Sequence, residues 1–232
     1  MPRNAVLRVG KGRGFVVNHR NYLGHREPII ITAAHCLPFV PPCNPARYLE
    51  QQTYQRLLGA LNRKPSVWAT CLFVDPIADI AVLGSPDSQE ISDEADAYHR
   101  LMDDMEVLAV ADAPKQGIKR VPAKEVAITV SGERQVIMTE GFEHPTPGEG
   151  PARVLSLDGR WLDGQVRRRS GWLGFEPKKL IASGMSGSPI LNADGAAIAV
   201  VSVDCMCPVI VDSLSAQLVR DIKARRYIKA RR

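Results

Sequence analysis

The stretch ITAAHC, residues 31–36, ends an apolar, β-branched run on a histidine, His35. An imidazole exchanges its proton near neutral pH, so one placed at a strand end is equipped for general-base work. It needs companions to do it. DPIADIAVLG, residues 75–84, carries Asp79 at the head of a second apolar run. A carboxylate there is partly buried and requires a donor to offset its desolvation, and a histidine N–H is such a donor. IASGMSGSPI, residues 181–190, sets Ser186 in a turn with Gly184, Gly187 and Pro189. Glycines let the backbone bend until consecutive N–H groups point to one spot, which is what a developing oxyanion requires. Hydroxyl, imidazole and carboxylate together are the equipment of nucleophilic acyl transfer, because a serine hydroxyl attacks at neutral pH only when a base takes its proton.

The elements that must position these residues are mostly strands. Short Val/Ile-rich runs recur along the chain, among them AVLRV, GFVV, PIIITA, VWATCLFV, IAVL, EVLAV, EVAITV, RQVIMTE, ARVLSL, SPILN, AAIAVVSV and PVIV. Gly, Pro, Asp or Asn separates many of them, the pattern of a barrel or sandwich. Three stretches read as helix. Residues 44–61, NPARYLEQQTYQRLLGAL, offer Asn44 as a cap, Pro45 at the first helical position and Tyr54, Leu57, Leu58 and Leu61 on one face. Residues 92–105, SDEADAYHRLMDDM, offer Ser92 as a cap and Tyr98, Leu101, Met102 and Met105 as a packing stripe. A closing helix is expected from about Asp212, with Leu214, Leu218 and Ile222 facing the body. Residues 140–150, EGFEHPTPGEG, read as an exposed loop. A lobe boundary is expected near residues 111–117, giving an N-terminal lobe over 1–112 that carries His35 and Asp79. The C-terminal lobe, over 113–232, carries Ser186.

The three motifs TAAHC, DIAVL and GMSGSP, in the order His, Asp, Ser and with separations of 44 and 107 residues, resemble those of the chymotrypsin-like, or trypsin-like, serine proteases. GKGRGFVV is similar to that family's first strand. The resemblance implies a mainly β fold of two six-stranded antiparallel barrels, here with a C-terminal helix and helical inserts. It implies that Ser186 is the nucleophile, His35 the general base and then acid, and Asp79 the group that orients His35. The N–H groups of Gly184 and Ser186 would form the oxyanion hole. The expected activity is a serine endopeptidase acting on protein or peptide substrates through an acyl-enzyme, with no cofactor and no metal.

Departures from the family pattern shape the expectation further. Animal trypsins place an aspartate before the nucleophile to pair with a processed amino terminus, whereas Met185 stands here and no Ile-Val-Gly-Gly sequence lies near the start. Activation by that salt bridge is therefore not expected, and the compact GMSGSP turn resembles bacterial members more closely. His19, Arg20 and Asn21 occupy the region where the disulfide partner of Cys36 would lie, leaving Cys36 as a small buried hydrophobe. Leu180 holds the place that is acidic in trypsins, and Ser202, Val203 and Asp204 lie on the strand expected to line the substrate. Asp204 either favours a basic side chain at the cleavage position or is a solvated strand-end residue.

The totals set the remaining bounds. At 232 residues and 45% hydrophobic, the chain can bury a sizeable core. The net charge of +5 resides in the tail, since residues 220–232 hold seven Lys/Arg and one Asp, and the body is near neutral. That argues against nucleic-acid binding by the folded body, and leaves only the tail for an anionic partner. No apolar run approaches the ~20 residues that cross a bilayer, and the start lacks the order of a secretory signal. Five cysteines without a scaffold pattern, one C-x-C pair among them, fit free thiols in a reducing compartment, so a cytoplasmic location is expected. Two other classes compete with the enzyme: a non-catalytic peptide-binding module on a protease fold, and a latent protease that a regulatory partner switches on.

Overall fold

The computed structural model describes residues 3–20, 26–40, 53–76, 79–111, 119–130, 133–143, 150–169, 172–178, 181–202 and 209–213. Six strands come first: β1 (Val6–Val9), β2 (Gly12–Arg20), β3 (Arg26–Ala33), β4 (Thr53–Gly59), β5 (Val67–Asp75) and β6 (Ile80–Gly84). They close into an antiparallel barrel in the order β1-β2-β3-β6-β5-β4. A helix, α1 (Ser92–Asp103), and a hairpin of β7 (Lys119–Val130) and β8 (Glu133–Glu143) follow. The second barrel comprises β9 (Gly150–Leu155), β10 (Trp161–Arg169), β11 (Trp172–Pro177), β12 (Pro189–Asn192), β13 (Ala197–Val201) and β14 (Val209–Ser213). Its order is β10-β11-β14-β13-β12-β9, so the expected double barrel of six antiparallel strands each is what the chain forms. Among the described residues β7 and β8 form a two-stranded sheet, and they belong to a separate compact unit, residues 112–147.

Strand patterns explain the closure. β5 buries Ala69, Cys71 and Phe73 on alternate positions, the period of a sheet with one face to the core. β6 is buried at all five residues, and β3 is buried from Ile29 to Ala33. One hydrophobic cluster runs from first-barrel residues such as Phe15, Ile30 and Leu83 to Leu155, Leu191 and Val200 of the second barrel. Both barrels are also sewn to the segment after α1. Leu108 donates to Val16 O at 2.9 Å, and Ala109 O accepts from Ala197 at 2.7 Å.

Four local expectations are corrected. Residues 53–59 of the expected 44–61 helix are the strand β4, and 44–52 lie outside the described residues. A bulge is the cause: the register against β5 slips between Tyr54 and Leu58, and Arg56 adopts a left-handed φ of 51°. Gln55 and Arg56 are therefore both exposed, and the buried Tyr54, Leu57 and Leu58 fall at a spacing that imitates a helix. In α1, Tyr98 and Met102 are buried as expected, and the Tyr98 hydroxyl donates to Pro28 O at 3.1 Å. Its capping position is Ile91 rather than Ser92, with no side-chain cap, so Asp93 and Glu94 supply the favourable charge at its first turn. At the other end the chain is still strand at Asp212 and Ser213. The rest of the expected closing helix and the basic tail lie outside the described residues. Strand β8 likewise extends through residues 140–143 of the expected loop.

Candidate active site

Strands β3 and β6 are antiparallel neighbours in which Ala33, the last residue of one, opposes Ile80, the first of the other. The residues just beyond these ends must therefore meet. They are the turn Ala34–Cys36, which carries His35, and Asp79. Asp79 grips that turn at three points. Its carbonyl accepts from Ala34 N at 3.0 Å, its Oδ1 accepts from His35 N at 2.9 Å, and its Oδ2 lies 2.7 Å from His35 Nδ1. Asp79 achieves this at a φ of 50°, a left-handed conformation that costs a non-glycine residue about 1 kcal/mol or more. The Ser202 hydroxyl donates to the same Oδ2 at 2.6 Å. The carboxylate is thus satisfied by three donors while the imidazole stays about half exposed, 46% against 16% for Asp79.

With Nδ1 committed to Asp79, Nε2 is the ring nitrogen left for proton transfer. The pKa of His35 is raised to about 9, first by the hydrogen bond with the Cys36 side chain, against partial burial, and then by Asp79. Cys36 itself is buried. Cys71 is a different kind of thiol, pushed up to about 12 by burial and donating to Phe73 O at 3.3 Å, so it is inert packing.

Ser186 comes from the second barrel, where Gly184 (φ 92°) and Gly187 (φ 81°) bend the chain around it. Of the turn's amides, Met185 donates to Ala182 O, Gly187 to Val201 O and Ser188 to Met185 O. Those of Gly184 and Ser186 find no acceptor among the described residues. Met185, standing where trypsins carry an aspartate, is 1% exposed and plugs into the second barrel's apolar cluster with Val154, Phe175 and Ile190. Hydrophobic burial thus anchors the turn without an ion pair.

The serine turn is bolted to the first barrel. The Ser186 carbonyl accepts from Arg13 N at 2.7 Å, and a Cβ on Gly12 would meet both that carbonyl oxygen, at 2.7 Å, and the Cys36 sulfur. Gly12 therefore lies between the serine turn and the histidine turn. Among the described residues no hydrogen bond joins Ser186 Oγ to His35.

The site residues read from the sequence thus divide in four. His35 and Asp79 are in direct contact; Gly184 and Ser186 share one turn held against Gly12 and Arg13; Leu180, Val203 and Asp204 lie outside the described residues. Ser202, expected on the substrate-lining strand, is 3% exposed and hydrogen-bonded to Asp79.

The trypsin-like peptidase domain family matches residues 12–200. The chain belongs to that family. No curated protein matches it. Among solved structures, the Rv3671c protease in its inactive form is similar at 15% identity, with a TM-score of 0.48 over 97% of this chain and 89% of that one.

Proposed function

We propose that the chain is a serine endopeptidase that hydrolyses peptide bonds of protein substrates through Ser186, His35 and Asp79. The observation that carries this reading is the clamp of Asp79 on His35 beside a serine turn whose two relevant amides have no acceptor among the described residues. In the first step the Ser186 Oγ–H proton passes to His35 Nε2 as the oxygen–carbon bond to the scissile carbonyl forms. The oxyanion then accepts from the amides of Gly184 and Ser186, donors already fixed by the turn. Collapse breaks the carbon–nitrogen bond, and His35 gives its proton to the departing amine. Water, deprotonated by the same imidazole, releases the acyl group and restores Ser186. Asp79 holds the tautomer throughout and stabilises the imidazolium, and Ser202 holds Asp79.

The buried free thiols Cys36 and Cys71 support a reducing, cytoplasmic setting. No helix among the described residues is long and apolar enough to cross a membrane.

The test is digestion of an unfolded protein such as casein, with new termini read by mass spectrometry. The wild type should produce defined cleavages, and Ser186→Ala or His35→Ala should reduce turnover about a million-fold. Equal cleavage by wild type and Ser186→Ala would refute the assignment.

A further inference from the structure

Arg13 reaches from the first barrel to two segments of the second, the turn of the proposed nucleophile and the turn that follows β9. It is 6% exposed. Its amide donates to Ser186 O at 2.7 Å, and its carbonyl accepts from Thr32 Oγ1 at 2.6 Å. The same carbonyl oxygen fills the space a side chain would need at Gly187. Its guanidinium donates to Leu155 O at 2.7 Å and, through both terminal nitrogens, to Ser156 O at 3.1 Å. Those carbonyls open the turn between β9 and β10. That turn is closed on itself, Ser156 N donating to Arg160 O at 2.8 Å and Arg160 N to Ser156 Oγ at 2.9 Å, so gripping two of its carbonyls places the whole of it. Leu157 of the turn packs over Gly184, whose Cβ position would be 3.7 Å from the leucine Cδ2.

A buried cation is a costly way to join two barrels. Burial lowers the pKa of Arg13, and the contacts that offset its desolvation among the described residues are carbonyl oxygens rather than a carboxylate. An apolar residue could fill the same space at less cost, but it could not hold two carbonyls of one turn in a fixed direction. The planar fork of a guanidinium can.

We propose that Arg13 is a positioning residue, which locks the Ser186 turn and the Leu155–Arg160 turn to the first barrel in one arrangement and so sets the placement of Ser186 and the Gly184 amide relative to His35. The inference rests on the protease reading. It requires that loss of the guanidinium act on turnover rather than on substrate affinity, because a shift of about 1 Å in a reacting group costs roughly a hundredfold in rate.

The experiment compares the full-length wild type with Arg13→Met and Arg13→Lys. It reads kcat and KM on a peptide cleaved by the wild type, the rate of fluorophosphonate labelling, and the thermal midpoint. Arg13→Met should lower kcat and the labelling rate in parallel by about ten- to a hundredfold with KM within about twofold. Arg13→Lys, which keeps a donor for the carbonyls, should recover part of both. If Arg13→Met does not fold, Arg13→Lys decides: a reduced kcat at unchanged KM in the folded protein supports the inference, and wild-type values overturn it. A folded Arg13→Met with wild-type kcat and labelling rate overturns it while leaving the protease reading intact. A wild type that neither cleaves nor labels overturns both.

Discussion

The imidazole of His35 has two neighbours that favour its charged form, Cys36 on one side and Asp79 on the other, and this sets the pH at which the site can work. A general base must be neutral to accept the serine proton, so with a pKa of about 9 the acid limb of kcat/KM should lie near pH 9. Replacing Cys36 by Ala removes the largest influence and should move that limb to lower pH. A limb unmoved in Cys36→Ala would show that Asp79 alone holds the imidazolium. Stability runs the other way: the raised pKa makes the imidazolium a stabilising form whose contribution is complete below about pH 6.5 and is lost as pH rises through about 9. The contact of His35 with Asp79 was legible in the sequence because each motif ends or begins an apolar run. The roles of Ser202 and Arg13 were not. Ser202 meets Asp79 across 123 residues of chain, and Arg13 meets Leu155 across 142, so no local pattern records either contact. An arginine among glycines reads as a solvated cation until a second barrel closes over it.

At the scale of elements, the paired strands β3 and β6 supply the histidine and aspartate ends, and two glycine bends supply the serine turn. The glycines are not equivalent. Gly187 has a φ of 81° and faces the Arg13 carbonyl, whereas Gly195 has a φ of 82° with nothing within 4 Å. Gly195→Ala should therefore cost only the left-handed strain, about 1–2 kcal/mol. Gly187→Ala adds an overlap with backbone that cannot swing aside, about 1–3 kcal/mol more, and displaces the Ser186 turn. Chemical denaturation of the two variants checks the difference, and equal losses would mean that the turn does not press on the first barrel as described. The strand-rich character followed from Val/Ile-rich runs parted by turn residues, as in β5, which buries Ala69, Cys71 and Phe73 on alternate positions, whereas the two six-stranded barrels followed only from the resemblance. β4 misled for the converse reason: its bulge breaks the period of two at Gln55 and Arg56 and leaves Tyr54, Leu57 and Leu58 at helical spacing.

Over the whole molecule, the two barrels share one apolar cluster, are stitched to a common connecting segment, and are joined at the site through Arg13 and Ser186. Neither barrel holds the proposed chemistry alone, since the base and its carboxylate come from the first and the nucleophile and its amides from the second. The central claim is therefore that the barrels bring Ser186 and His35 into one working unit, and a covalent probe reads that directly. Wild type, Ser186→Ala and His35→Ala are treated with a fluorophosphonate and the mass shift is located by peptide mapping. The account predicts a single adduct on Ser186 that is lost in Ser186→Ala and in His35→Ala. An adduct that persists without Ser186, or a folded wild type that never reacts, would contradict it.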